Sequence, residues 1–147
     1  MRFPQHIIRR LLLAAAFGAA AGCSGSGPYP VEGMVVWEDG TPAKELASAQ
    51  IVFDLPERQT SARGSVQPDG TFQLTTNKAN DGALPGKYKV MILEIGRKTM
   101  PNDPTMLAPT VMDIRYSDPR TTDLEATIEP VKPNKITLRV KRNSAKK

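Results

Sequence analysis

Cys23 is the only thiol in the 147-residue chain and His6 the only imidazole, so the chemistry open to it is narrow. Ser–His and Cys–His nucleophile systems need a histidine to take the proton, and zinc sites draw mainly on Cys and His. His6 lies in the first 22 residues, a stretch with the make-up of an export leader, and leaves with it. What survives in the remainder is a carboxylate pair or a Ser–Lys arrangement. Asp39, Asp69 and Asp81 each precede Gly, and Asp118 precedes Pro119, positions where turn formation explains an acid. No two acids show a spacing that demands general acid–base work. No Asp-x-Asp-x-Asp-Gly run offers a calcium loop, although scattered loop carboxylates could still meet around a calcium ion. The expectation is a protein without catalysis, resident metal or cofactor.

The chemistry left to Cys23 is acylation. Arg2, Arg9 and Arg10 form a basic start, and Leu11 to Ala21 an apolar run too short for the about 20 residues that span a bilayer. Ala20-Ala21-Gly22-Cys23 follows at once and resembles the lipobox of bacterial lipoproteins, with Ala20 where Leu is usual. The resemblance implies cleavage after Gly22 and fatty-acyl (palmitate-type) chains on Cys23, which attach the mature chain to a membrane. The other reading is an ordinary secretory signal that leaves a free thiol at the new terminus. Ser24 stands where Asp would resemble an inner-membrane retention signal, so the expected place is the cell envelope, at the outer membrane or periplasmic face. A single cysteine permits no intramolecular disulfide.

Charge has to be recounted after cleavage. The chain carries 20 Lys+Arg against 15 Asp+Glu; without Arg2, Arg9 and Arg10, 17 basic side chains remain against 15 acidic. What stays basic is the end: Lys132, Lys135, Arg139, Lys141, Arg142, Lys146 and Lys147, with no acid after Glu129. Such a run suits anionic lipid or acidic glycan, or is simply a solvated strand end and frayed terminus. It has no interleaved aromatic side chains, which argues against a nucleic-acid partner.

The elements that would carry these residues are strands. In Asp81 to Ile95, DGALPGKYKVMILEI, Tyr88, Val90 and Ile92 fall on one face by the period-two rule, and Met91, Leu93 and Ile95 on the other. Two apolar faces predict a central strand buried on both sides. Pro85-Gly86 predicts a type II turn into it. Tyr88 resembles a tyrosine corner, its hydroxyl reaching back to nearby backbone, with a ligand-binding tyrosine as the alternative.

Residues 24–30, SGSGPYP, read as a tether following Cys23. Val31 to Trp37 is the first strand, with Val31, Gly33, Val35 and Trp37 inward; Trp37 belongs in the core unless it serves as a stacking platform. Ala49 to Leu55 and the weaker Ser61 to Val66 follow, and Lys44 to Ser48 could form one helical turn at most. Pro68-Asp69-Gly70 is a hairpin turn into Thr71 to Thr75, because Gly takes positive φ without steric cost. Val111 to Tyr116 suggests a short edge strand; Asp123 to Ile128 and Asn134 to Lys141 close the domain. The organisation is then 1–22 signal, 23–30 lipidated cysteine and tether, 31–141 domain, and 142–147 basic tail. No stretch outside the signal keeps helical periodicity. The fold class is all-β, a seven-stranded Ig-like or prealbumin-like sandwich.

Val31-x-Gly33-x-Val35, Gly40-x-Pro42, Ala49-x-Ile51-x-Phe53, Asp69-Gly70-x-Phe72-x-Leu74 and Leu84-Pro85-Gly86-x-Tyr88-x-Val90, in this order, resemble carboxypeptidase-regulatory-like (transthyretin-like) domains. Arg115-Tyr116-Ser117-Asp118-Pro119-x-Thr121-x-x-Leu124 is similar to the closing segment of small lipoproteins of planctomycete-type bacteria. The resemblance spans residues 31–141 and implies a prealbumin-like sandwich with no catalytic residues to carry over.

The place to look for function is Arg97 to Met112, where Pro101, Pro104 and Pro109 predict irregular structure from Gly96 to Pro109. Met100, Met106, Leu107 and Met112 are adaptable apolar side chains suited to a partner surface, or to filling an open face of the core. Two functions remain open. One is a lipid-anchored envelope module with a structural or protein- or glycan-binding role. The other is an accessory or solute-binding lipoprotein holding a small ligand, which requires a concave pocket with converging polar groups. Low aromatic content, 5%, argues mildly against sugar stacking.

Overall fold

The computed structural model describes residues 27–144; the expected signal peptide (1–22) and Cys23 lie outside them. Two sheets face each other. One has the order β4-β1-β9, from Thr71–Gln73, Val31–Trp37 and Asn134–Val140. The other has the order β3-β2-β5-β8, from Thr60–Ser65, Gln50–Leu55, Gly86–Leu93 and Glu125–Ile128. A separate hairpin, β6 (Thr99–Met100) with β7 (Asp103–Leu107), brings the count to nine strands instead of seven. The Gly96–Pro109 stretch is therefore partly regular. Its prolines sit where a hairpin tolerates them: Pro101 in the turn, and Pro104 in a two-stranded edge.

The inward residues follow the period-two pattern. Val35, Trp37, Ile51, Phe53, Tyr88, Val90, Ile92, Phe72 and Leu74 are all buried. β5 is central, between β2 and β8, but only one of its faces is buried. Met91 and Leu93 are half-buried, and Ile95 is 61% exposed. Among the described residues the outer face of β5 stays partly open, and the chain after Leu93 leaves the sheet as an arm.

Gly86 does not make the type II turn. Its φ of 155° is far from the about +80° that turn needs, and it opens β5 opposite Ile128. A Cβ there would meet Leu55 Cδ1 at 2.8 Å. The Tyr88 corner does form: its hydroxyl donates to the Leu84 carbonyl at 2.9 Å while the ring packs beside Phe53.

The Asp69-Gly70 hairpin also forms, with a division. Gln67 N donates to Thr71 O, and Arg63 and Thr75 exchange both backbone bonds, yet β3 joins one sheet and β4 the other. This hairpin stitches one edge of the sandwich. A Cβ on Gly64 would stand 2.1 Å from Gln73 O, so the close approach needs glycine.

The expected edge strand at Val111 to Tyr116 is instead a short 3-10 helix, Ile114–Ser117, capped by Asp113, whose carboxylate accepts from Arg115 N. It carries Tyr116 into the core, where the phenol oxygen accepts from Lys141 N; Ser117 Oγ donates to Ile92 O. Thr122 Oγ1 donates to Val90 O. The Arg115–Leu124 motif is thus a crossover tied to both sheets. The chain is also bonded to the domain before Val31, since Tyr29 and Ala83 exchange backbone bonds, so the tether ends earlier than expected.

Candidate functional site

The paired strand ends fall into two groups, one at each end of the sandwich. At one end lie Tyr29 with Ala83, Val31 with Asn134, and Gly86 with Ile128. At the other lie Trp37 with Val140, Val35 N on Gly70 O, and Gln50 with Leu93. The arm, residues 94–112, leaves from this second end, opposite the one where the N-terminal segment enters.

Side chains fix the base of the arm. Glu94 accepts from Val111 N and Met112 N at 3.0 and 3.1 Å. On the other side Asn143 N donates to Val111 O, and its side-chain amide to Thr110 O. Further out, Ala108 N donates to Lys98 O, and an Arg97 guanidinium N–H to Ala108 O. Two extended segments are thus held side by side, clamped by the continuation of β9.

This geometry divides the four expected partner-surface residues. Met106 and Leu107 are exposed, at 55% and 53%, and Met100 is half-buried. Met112 is fully buried in the main core and cannot contact a partner. It is drawn in because its neighbours pair with Lys141 and Asn143. Ile95 and Val111, not singled out from sequence, replace it. They are 61% and 42% exposed and line one groove of about 390 Å³ with Leu46, Ala49, Ala108 and Pro109. Ile95-Gly96 was the available signal, since a glycine with φ 70° ends the strand before Ile95 can be covered.

The groove is bordered by Glu45, Glu94, Arg97 and Lys98. Glu45 accepts the Trp37 indole proton at 3.0 Å and an Arg142 N–H at 2.9 Å. Its own backbone amide, then Arg142 and Trp37, hold its carboxyl below the ordinary range. Trp37 itself is core, 1% exposed.

A second, polar groove of about 840 Å³ lies along the stitched edge, with Glu32, Gln50, Arg63, Ser65, Gln73 and Asn80 among its walls. The turn acids serve their own loops. Asp39, Asp69 and Asp103 each accept from the amide and hydroxyl of the Thr two residues on, at 2.6–2.9 Å. Those hydroxyls, then the amides, lower all three carboxyl pKa values. Asp81 accepts from the amides of Thr76, Asn77 and Lys78. Among the described residues no three His, Cys, Asp or Glu side chains come together as a metal site.

The basic end is largely occupied too. Arg139 donates to Glu38 O, Lys141 pairs with Glu38 at 3.2 Å, and Arg142 with Glu45. Among the described residues no helix is long and apolar enough to cross a membrane. Compared with family models and with curated proteins, the chain matches none.

Proposed function

We propose that the protein is a lipid-anchored cell-envelope interaction module, held to a membrane through Cys23 and offering a protein-binding arm at the far end of a β-sandwich. The observation that carries this reading is the placement of N-terminal entry and exposed apolar arm at opposite ends. From Cys23 to the first paired residue, Tyr29, a fully extended chain reaches only about 20 Å, so an acylated Cys23 would keep that end near the lipid. A binding or structural role is supported over a buried ligand site by the absence, among the described residues, of any buried side-chain N or O without a partner to offer a ligand. The resemblance to carboxypeptidase-regulatory-like lipoproteins agrees, and we assign no catalysis, cofactor or nucleic-acid partner. The test is intact mass with membrane fractionation of the native chain and Cys23→Ser. Acylation on a chain beginning at Cys23, lost with membrane association in the variant, supports the reading. A soluble, unmodified chain in both cases overturns it.

The polar groove favours a second reading, a small hydrophilic ligand held by Gln50, Gln73 and Arg63, whose side chains make no hydrogen bond to described residues. Its volume falls in the usual range for ligand sites. Saturation-transfer NMR with neutral oligosaccharides, lost in Arg63→Ala, would establish it; no transfer would remove it.

A further inference from the structure

We infer that the arm groove accepts an apolar side chain of a partner protein that carries a carboxylate beside it. The inference rests on the chain being an interaction module and adds the chemistry of the partner.

The walls include the aliphatic side chains of Leu46, Ala49, Ile95, Val111 and Pro109. Leaving Ile95 and Val111 in water is unfavourable, and an inserted apolar side chain recovers part of that cost. The border decides the charge. Glu94 is held by two backbone amides and keeps its negative charge, while Glu45 is balanced by Arg142 and bonded to Trp37. The Lys98 ammonium has no partner among the described residues, and Arg97 gives one of its five N–H groups to Ala108 O. Set against Glu94, Arg97 and Lys98 leave the border one positive charge in excess beside an apolar hollow. The hollow is preformed, because Val111 is held between Glu94 and Asn143, so little ordering opposes binding. β1, seven residues at about 3.3 Å each, separates the N-terminal entry from this end, which turns the groove toward the aqueous compartment and a protein in it.

The probe is a set of three blocked hexapeptides: Leu-Phe at the centre flanked by Glu, the same centre flanked by Lys, and a Ser-Ser centre flanked by Glu. Each is titrated into the purified chain by fluorescence anisotropy and by amide chemical shift. The acidic apolar peptide should shift Ala49, Ile95 and Val111 and bind about tenfold tighter than the other two. Lys98→Glu, at an exposed side chain, should invert the preference between the Glu and Lys peptides without unfolding the domain. Equal affinity for those two peptides, or shifts outside the groove, overturns the inference. So do groove shifts on dilution without peptide, which indicate a second copy, and groove shifts on anionic vesicles alone, which indicate lipid. A soluble, unacylated chain that still prefers the acidic peptide would overturn the anchor and leave this assignment standing.

Discussion

The guanidinium carbon of Arg142 lies 4.1 Å from the centre of the Trp37 ring, and the same guanidinium donates to Glu45, which accepts the Trp37 indole proton. Trp37 and Glu45, eight residues apart, close a triangle with the distant Arg142 that fastens the C-terminal segment over β1 and beside the groove. Arg142→Ala should cost about 1–2 kcal/mol, combining cation–π and ion-pair contributions, and Arg142→Lys less. Urea unfolding followed through Trp37, the only tryptophan, measures it, with a red-shifted native spectrum as the accompanying sign.

Met112 and Met106, six residues apart, should behave oppositely. Met112→Ala empties a fully buried position and should cost about 2–5 kcal/mol. Met106→Ala, at 55% exposure, should stay within about 0.5 kcal/mol. Thermal unfolding of both variants checks the division of the arm between core and surface.

Gly64→Ala should destabilise by about 1–3 kcal/mol, since its Cβ would stand 2.1 Å from the Gln73 carbonyl where the two sheets are stitched. Faster amide exchange at Arg63 and Thr75 should accompany the loss, which would distinguish local opening from a uniform effect.

Acid should weaken the fold through its turns. The Arg120 guanidinium and amide lower the Asp118 pKa to about 2 from 3.8, and Asp39, Asp69, Asp103 and Asp113 are lowered by the Thr and Arg side chains beside them. A carboxyl lowered in the folded state contributes stability above its unfolded pKa and loses it as pH falls through the folded one. With no histidine among the described residues, urea midpoints should be flat from about pH 8 to 5 and then fall. Asp118→Asn should remove part of the lowest-pH loss.

Alkali should act through Tyr88 and Tyr116, whose pKa values burial raises above 10.0. The native state holds their protons after the unfolded chain has released them, so stability is present below about pH 10 and is lost as pH rises past it. Absorbance titration at the phenolate band should show these two tyrosines ionising late, together with unfolding. Tyr88→Phe should cost about 1 kcal/mol near neutrality by removing the bond to Leu84 O.

The positions of the seven strands in the two main sheets, the turn acids, the Tyr88 corner and the all-β class were legible in the sequence because each depends on local chemistry: a side-chain period of two, glycine's tolerance of positive φ, and an Asp that bonds its own loop. Of the candidate partner surface, Met106 and Leu107 were legible as flexible apolar residues in a proline-rich stretch. Ile95 and Val111 were not, since an isoleucine ending an apolar run reads the same whether the next segment covers it or turns away. Tertiary structure alone decided that β3 and β4, one hairpin, belong to two sheets, that β1 pairs in parallel with β9, that Met112 is core, and that the arm leaves opposite the N-terminal entry. These outcomes depend on pairings between residues as distant as Val31 and Asn134, whose competition for the same edges is settled by how the whole core packs, which no local pattern encodes.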